Sequence, residues 1–430
     1  MLALVFGAFV GLMFLGIPIA AAIGFSSFLP QFVDPGFMGN ANYILRAVVS
    51  GLDSASILAV PLFMLSGAVM SMGGVSKKLF DVFAVFIGGF RAGMPCAVVV
   101  TCLFYGAISG SGVATCAAVG GMCIPVLLEL GYDKKFSGAI VASASALGII
   151  IPPSIPFVLY GINSNGKASV GDLFKAGVVP GILIAACLML YCVIFCTRNG
   201  EDKVRIQAHV AKLRANGYLS VLREGIWALL APVVILGGIY SGLFTPTEAA
   251  CVSVFYALFV SIFIYRTMKF SDILGQLKGA VASYAPMGLM VAFAVAFGRV
   301  LSLLDVPNML ADIITAYCHN GVIFLLVLNA VLFVLGMFMD TTSAIIILTP
   351  MLLTTAVSFG INPVHFGVVL IVNLALGMIS PPIGINLFVA APLIDVSAGA
   401  LGKKIITPML FFIAALLLIT YIPGLSMALV

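Results

Sequence analysis

An all-α polytopic membrane protein is predicted for this chain by three observations: its composition, the length of its apolar runs, and the matched way those runs are interrupted. Of 430 residues, 63% are hydrophobic and only 8% charged, where soluble domains carry about 25% charged residues. Mean hydropathy is +1.25. Most apolar runs are long enough for a helix to cross a hydrocarbon layer of about 30 Å, and none shows the alternation of a membrane β-barrel. The runs are broken in the same way twice, at GIIIPPSIPF (148–157) and GMISPPIGIN (377–386). Proline lacks the amide a helix needs and clashes one turn back, so each pair must interrupt its helix.

The amino-terminal run has no Lys or Arg before it, and the first charge is Asp34. A cleaved signal peptide is therefore not expected. The nine cysteines form no CxxC pair and sit mostly inside apolar runs, where Cys packs as a small hydrophobe. The net charge of +5 gathers mainly in one loop; it sets topology and gives no reason to invoke nucleic acid.

Superposing the chain on itself exposes an internal repeat. Pro61 matches Pro286, Gly73 matches Gly298 and Pro125 matches Pro350; after a short insertion Gly131, Gly138, Gly148, Pro152 and Pro153 match Gly360, Gly367, Gly377, Pro381 and Pro382. Two units follow, residues 1–197 and 226–430, joined by a basic linker over 198–225. The linker from Arg198 to Glu224 has six Lys/Arg against three acids, which assigns it to the cytoplasm. Counting outward from it places Lys134, Lys135, Arg266, Lys269 and Lys278 inside as well. The turn GINPVHFG, equivalent to the one holding Lys134 and Lys135, carries no Lys or Arg. Equivalent loops thus fall on opposite faces, the pattern of inverted-topology repeats with an odd number of crossings. About five crossings per unit are expected, in the first over 1–15, 17–30, 55–72, 136–160 and 172–197.

Each unit also holds a stretch unsuited to an ordinary span. In residues 93–130 two apolar arms flank SGSG at 109–112; in residues 321–355 they flank GMFMDTTSA at 336–344. These read as re-entrant hairpins, each followed by a Pro-Pro-broken helix, 136–160 and 364–390. Backbone left open at membrane depth is tolerated where it faces protein or a watery cavity. There the freed carbonyls suit a cation, while half-helix amino termini and hydroxyls such as Ser109, Ser111, Thr341 and Thr342 suit an anion. Asp340 is an ionisable group at a hairpin tip and hence a functional candidate. Glu248 in TPTEAA fits a capping box, and Arg299 reads as a snorkelling anchor. VSKKLFDVFAVFIGGF and LLDVPNMLADIITAY, ahead of each hairpin, read as in-plane arms.

The segments VPLFMLSGAVM, GAISGSGVATCAAVGGMCIP, IIPPSIPFVLYG, GLFTPTEAA, GMFMDTTSAIIILTP and ISPPIGINLF resemble the large membrane subunit of TRAP (tripartite ATP-independent periplasmic) transporters, of the DctM/SiaM type, over essentially the whole chain. The resemblance implies a bacterial inner-membrane importer of organic acids such as sialic acid, sugar acids or C4-dicarboxylates, driven by sodium as coupling ion, with no other cofactor. It implies two partners, a small four-helix membrane subunit and a periplasmic substrate-binding protein. Carried over by motif, one sodium site would use Ser109, Ser111, Gly148 and Ile151 and the other Gly336, Thr341, Gly377 and Ser380, with substrate near Ser154, Asp340 and Asn386. An elevator mechanism is implied, the hairpins and broken helices moving against a scaffold. Family members often carry an acid in the pattern AGE where this chain reads SGA at Ser66–Ala68, so that helix is given no role.

Three alternatives remain. An anion channel would need a continuous polar pore or charged ring. A stand-alone sodium/carboxylate symporter would share the hairpin physics. An enzyme is disfavoured by the lack of HExxH or GxSxG motifs and of any His near a hairpin tip, since His209 lies in the linker, His319 in an arm region and His365 in a loop.

Overall fold

A computed structural model describes residues 1–430 except 54, 216, 307, 310, 311, 313, 315–317 and 319, and except the side chains of residues 2, 3 and 14. Among the described residues there is no strand. In the first half α1 (Leu2–Phe14), α2 (Ile19–Val33), α3 (Ala41–Leu52), α4 (Ala59–Met72) and α5 (Val75–Ile87) precede the hairpin α6 (Gly93–Ser109) and α7 (Gly112–Glu129), then α8 (Lys134–Ser145), α9 (Ile155–Asn163) and α10 (Val170–Asn199). The linker is not a plain loop: it folds as α11 (Lys203–Ala215), and α12 (Tyr218–Tyr240) begins inside it. The second half continues with α13 (Pro246–Phe259), α14 (Phe270–Leu303), a hairpin α15 (Gly321–Phe338) and α16 (Thr341–Ser358), α17 (Pro363–Gly377), α18 (Ile385–Leu393), α19 (Ala398–Tyr421) and the short α20 (Gly424–Met427).

Nine helical segments among the described residues are long and apolar enough to cross a membrane. Three of them, α7, α15 and α16, are arms of the two helical hairpins. All nine cysteines are free thiols.

The breaks fall where proline dictates. α8 tightens into a 3-10 turn over Ala146–Ile149, the chain passes the cis Pro152–Pro153 bond, and α9 restarts behind the Ser154 cap. Its counterpart α17 stops at Gly377, passes the cis Pro381–Pro382 bond and resumes as α18. The two broken helices run antiparallel. Asn386, at the start of α18, bonds Ser145 near the end of α8, whereas Ile394, past the end of α18, packs on Gly138 near the start of α8. At the far end, the Tyr160 hydroxyl of α9 donates to the Pro363 carbonyl at 2.6 Å. α10 and α19 are likewise antiparallel: Tyr191 packs on Phe411, and Phe195, one turn later, lies under Lys404.

Basic side chains mark one end of the molecule. Arg91 bonds the Thr197 carbonyl, Arg214 the Val85 carbonyl, and Lys78 of α5 pairs with Glu224 of α12. α5 is 13 residues long, buries Val75, Leu79, Phe80 and Val82, and is too short to cross. Of the second arm segment, residues 303–317, seven residues lie outside the described ones.

Two elements differ from expectation. α3 forms because Asn40 caps it, accepting from the Tyr43 amide, while Ile44 and Ala47 pack into a small core with Ala296 and Val300 of α14. α14 is a single 34-residue helix through Pro286, about 51 Å long, whereas the equivalent stretch of the first half breaks at Asp53 between α3 and α4. The second unit holds as one rod what the first splits into two.

Candidate functional site

The first hairpin turns on three residues. Ser109 ends α6, Gly110 adopts φ +62, and Ser111 is extended and caps α7, its hydroxyl accepting from the Ala114 amide. The Ser109 hydroxyl lies 2.9 Å from the Thr115 hydroxyl, which donates to the Ser111 carbonyl at 2.7 Å. Gly148, in the 3-10 turn of the first broken helix, presses on this group: a Cβ there would sit 2.6 Å from the Thr115 hydroxyl and 2.7 Å from the Ser111 carbonyl. Behind it, a Cβ on Gly106 would stand 2.7 Å from the Gly148 Cα. Ser109, Ser111, Thr115 and Gly148 are thus one cluster of neutral oxygen donors, the kind a hard cation prefers. Ile151 differs in that its side chain is buried against Gly181 of α10 and its amide closes the turn onto the Leu147 carbonyl.

The second hairpin repeats this contact with different chemistry. Gly377 meets Gly336 backbone to backbone, as Gly148 meets Gly106. Asp340 occupies the capping position held by Ser111 in the first copy, its carboxylate accepting from the amides of Thr342 at 3.0 Å and Ser343 at 3.3 Å. The Ser380 hydroxyl donates to the Leu376 carbonyl at 2.7 Å and its amide to the Gly377 carbonyl at 3.0 Å. Gly384 admits the close return of the chain: a Cβ there would meet the Met378 and Ser380 carbonyls at 2.7 Å.

Both tips face one cavity of about 370 Å³. Residues 109–114 line it from one side and Asp340, Thr341 and Thr342 from the other. Ile155 and Pro156 bring the start of α9 to the same wall, so three helix amino termini converge there. Those of α7 and α9 are capped by the hydroxyls of Ser111 and Ser154, and that of α16 by a carboxylate. Among the described residues, no Lys, Arg or His is on the walls. An anion entering this cavity would be held by amide groups and helix dipoles at α7 and α9, and Asp340 offers the one full negative charge to a cation or a hydroxyl.

Ser154 and Asn386 stand behind the wall. The Ser154 hydroxyl donates to the Ile149 carbonyl at 2.5 Å, and the Asn386 amide donates to the Ser145 hydroxyl at 2.9 Å and the Ala142 carbonyl at 3.3 Å. Both are fully buried. The helix given no role in the sequence reading lines the cavity, through Met64, Gly67, Ala68 and Ser71 of α4. A Cβ on Gly67 would meet the Ser109 Cα at 3.1 Å, so that helix also backs the first tip. Gly106 and Thr115 were missed. Gly106 is the counterpart of Gly336 in structure only, since the repeat offset that matches Pro125 to Pro350 pairs it with Val331, and Thr115, four residues into α7, carries no sequence signal apart from its hydroxyl. Glu248 is the capping residue expected: its carboxylate accepts from the Thr245 amide at 2.8 Å, and its own amide donates to the Thr245 hydroxyl.

Comparison with known proteins bears on what this cavity serves. Residues 6–425 match the family described as tripartite ATP-independent periplasmic transporter, DctM component. The C4-dicarboxylate TRAP transporter large permease protein of Rhodobacter capsulatus is 33% identical over 99% of this chain and 98% of its own length. The sialic acid TRAP transporter large permease protein of Vibrio cholerae is 32% identical over 99% and 97%. An isethionate TRAP transporter permease protein of Oleidesulfovibrio alaskensis is 37% identical over 99% of this chain, which spans 66% of that longer protein. In fold, the chain resembles the Alcanivorax borkumensis YdaH transporter, with a TM-score of 0.56 over 90% of both chains at 15% identity.

Proposed function

Because the chain belongs to the DctM family of tripartite ATP-independent periplasmic transporters, multi-pass proteins of the bacterial inner membrane, we propose that it imports a small organic acid by sodium-coupled transport, with substrate delivered by a periplasmic binding protein. The family is one of transporter permeases, not enzymes, and implies a small membrane subunit as second partner. The observation that carries this reading is the meeting of two hairpin tips over three helix amino termini in a cavity without a cationic side chain. Such a cavity suits an anion whose charge is met by backbone dipoles and by a bound cation.

The first sodium would sit among Ser109, Ser111, Thr115 and Gly148, and the second near Gly336, Thr341, Gly377 and Ser380. A cation at either place ties a hairpin tip to its broken helix and so completes the cavity wall. Sodium and substrate then raise each other's affinity by the same factor. The substrate carboxylate would lie toward α7 and α9, away from Asp340, because like charges repel at close range. Relatives named for isethionate, C4-dicarboxylate, sialic acid and 2,3-diketo-L-gulonate transport all handle acidic solutes.

The antiparallel placement of α8–α9 against α17–α18, and of α10 against α19, supports inverted repeats. In the elevator we propose, these elements and both hairpins move as one body against a scaffold containing α3, α4 and α12–α14, with α5 as a hinging arm. The test is uptake of labelled organic acids by proteoliposomes containing this chain and its small subunit, with and without an inward sodium gradient and the binding protein. Saturable uptake that requires both supports the proposal. Uptake that needs sodium but ignores the binding protein would replace it with a stand-alone symporter, and linear flux would replace it with a channel.

A further inference from the structure

A second cavity, of about 790 Å³, lies at the end of the molecule opposite the basic cluster, hence on the periplasmic side by the positive-inside rule. Its walls come from Arg299 of α14, Ser56 before α4, Asn163 of α9, Ser169 before α10, Thr245 before α13 and Pro350 of α16. Arg299 is the single charged side chain on those walls among the described residues. It is exposed, and its guanidinium donates to the Ser50 hydroxyl of α3 at 3.1 Å. The ion pairs Lys78–Glu224, Lys175–Asp172 and Arg205–Asp202 do not involve Arg299, which is held by the Ser50 hydroxyl. Of the acids close in sequence to this rim, Asp172 is engaged with Ser169 and Lys175 and Glu248 with Thr245, while Asp53, between the rim residues Gly51 and Ala55, forms none of the ion pairs above.

Three helices connect this cavity to the deep one, the first being α9, which gives Gly161, Ile162 and Asn163 to the outer walls and Ile155 and Pro156 to the deep walls. α14 contributes Ala294, Val295 and Gly298 to the outer walls and Ser283 and Met287 to the deep walls. Met287 and Arg299 are about 18 Å apart along its axis. α16 contributes Pro350 to the outer cavity and Thr341 and Thr342 to the deep one. The α16 arm of the second hairpin therefore runs from one cavity to the other. Among the described residues the deep cavity has no full positive side-chain charge with which to draw an anion in, whereas the outer cavity has a planar guanidinium, of the type that binds a carboxylate through two parallel hydrogen bonds.

Resting on the transport reading above, we propose that the outer cavity is a receiving site for the carboxylate of the substrate, with Arg299 as its ligand, occupied before the α15–α16 hairpin admits the solute to the deep cavity. A single exposed charge focused by such walls raises the rate of anion arrival and makes it sensitive to salt. The site acts on delivery, so its loss raises the substrate concentration needed for half-maximal uptake and leaves the maximal rate nearly intact.

The experiment uses the reconstituted permease pair and its binding protein, with wild-type uptake of an organic acid established first. R299Q is expected to raise half-saturation about tenfold at low ionic strength, the factor equivalent to about 1.4 kcal/mol, to flatten the salt dependence, and to leave maximal velocity within about twofold. R299K should recover most of the loss. S302E, one turn along α14, keeps the arginine but neutralises it in place, and is expected to reproduce R299Q. S50A, which removes the α3–α14 bond without touching the charge, should change half-saturation by less than about twofold. Attachment of the unloaded binding protein to the reconstituted pair should be equal in wild type and R299Q. Unchanged half-saturation in both R299Q and S302E would overturn the proposal. An S50A effect as large as that of R299Q would show an interhelical clamp instead, and lost attachment in R299Q would assign Arg299 to docking. Absence of sodium-driven uptake by the wild type would remove the transport reading itself.

Discussion

Gly377 lies against Gly336 so closely that a Cβ built on it would stand 2.5 Å from the Gly336 carbonyl carbon, and in the other half a Cβ on Gly106 would stand 2.7 Å from the Gly148 Cα. Each hairpin is thus seated on its broken helix by a pair of glycines, with backbone on both sides of the contact and no side chain able to yield.

Alanine at Gly377 or Gly148 is therefore expected to force the hairpin away from its helix. Overpacking of this kind costs about 1–3 kcal/mol, at the upper end where backbone must shift. Thermal unfolding of the purified protein should move down in both variants, and sodium-dependent uptake should be lost. Gly121→Ala and Gly399→Ala, where an added Cβ meets nothing within 4 Å, are the controls and should unfold as wild type. Equal behaviour of all four variants would show that the glycine contact is not what seats the hairpins.

The oxygen clusters make a separable prediction. Ser109→Ala combined with Thr341→Ala should raise the sodium concentration for half-maximal uptake several-fold before it affects thermal stability. Thr115→Val should do the same alone, because the Thr115 hydroxyl joins Ser109 to the Ser111 carbonyl at the point where Gly148 approaches. Each lost ligand is worth about 1–3 kcal/mol where donor and acceptor are sheltered from water. Normal sodium activation in well-folded variants would move the coupling sites elsewhere.

Asp340 separates capping from charge. Asn caps a helix about as well as Asp, so Asp340→Asn should keep the bonds from Thr342 and Ser343 and unfold within about 1 kcal/mol of wild type. Its sodium-dependent uptake is nevertheless expected to fall at least about tenfold, since the cavity loses its one carboxylate. Uptake at the wild-type rate would reduce Asp340 to a cap.

The elements legible in the sequence are those that Gly and Pro punctuate. SGSG and the two Pro-Pro pairs fall at the turn between α6 and α7 and in the breaks α8–α9 and α17–α18, because Gly and Pro interrupt a helix inside an apolar run; at the second tip Asp340 marks the break instead, as the cap of α16. α3 was not legible: ANYILRAVVSGL is too short to span, and its helical face is defined by Ala296 and Val300 of a helix 250 residues away. The unbroken course of α14 escaped notice because Lys278 and Pro286 look like a boundary, yet α2, α3 and α4 pack along it and hold it as one rod. Within the site, hydroxyls and an acid drew attention while Ala68 did not. A methyl group on a cavity wall has no sequence signature; only packing shows that α4 faces the hairpin tip. Ser154 and Asn386, polar and well placed along the chain, donate to bonds inside the protein, while the Asn386 Oδ1 is buried without a partner among the described residues.

Glu201, just past α10, supplies the last prediction. One carboxylate oxygen accepts from the Tyr132 hydroxyl at 2.6 Å and the other from the Ala92 amide at 3.0 Å. Ala92 immediately precedes α6 and Tyr132 follows α7, so a single side chain clasps both feet of the first hairpin to the end of α10. Burial, reinforced by the Glu201 carboxylate, pushes the Tyr132 phenol well up, which keeps it a donor throughout the working pH range. Ala92 is held at φ +56, in the left-handed region that a side chain disfavours. Glu201→Ala should cost about 1.5–3 kcal/mol, the range for hydrogen bonds to a charged group, and should speed hydrogen exchange at the amides of residues 92–96 while leaving those of α17 unchanged. Ala92→Gly, which relieves the backbone without touching the clasp, should raise the unfolding midpoint. If Glu201→Ala accelerated exchange equally in both halves, the clasp would be holding the whole bundle together, and the first hairpin would not be a locally anchored unit.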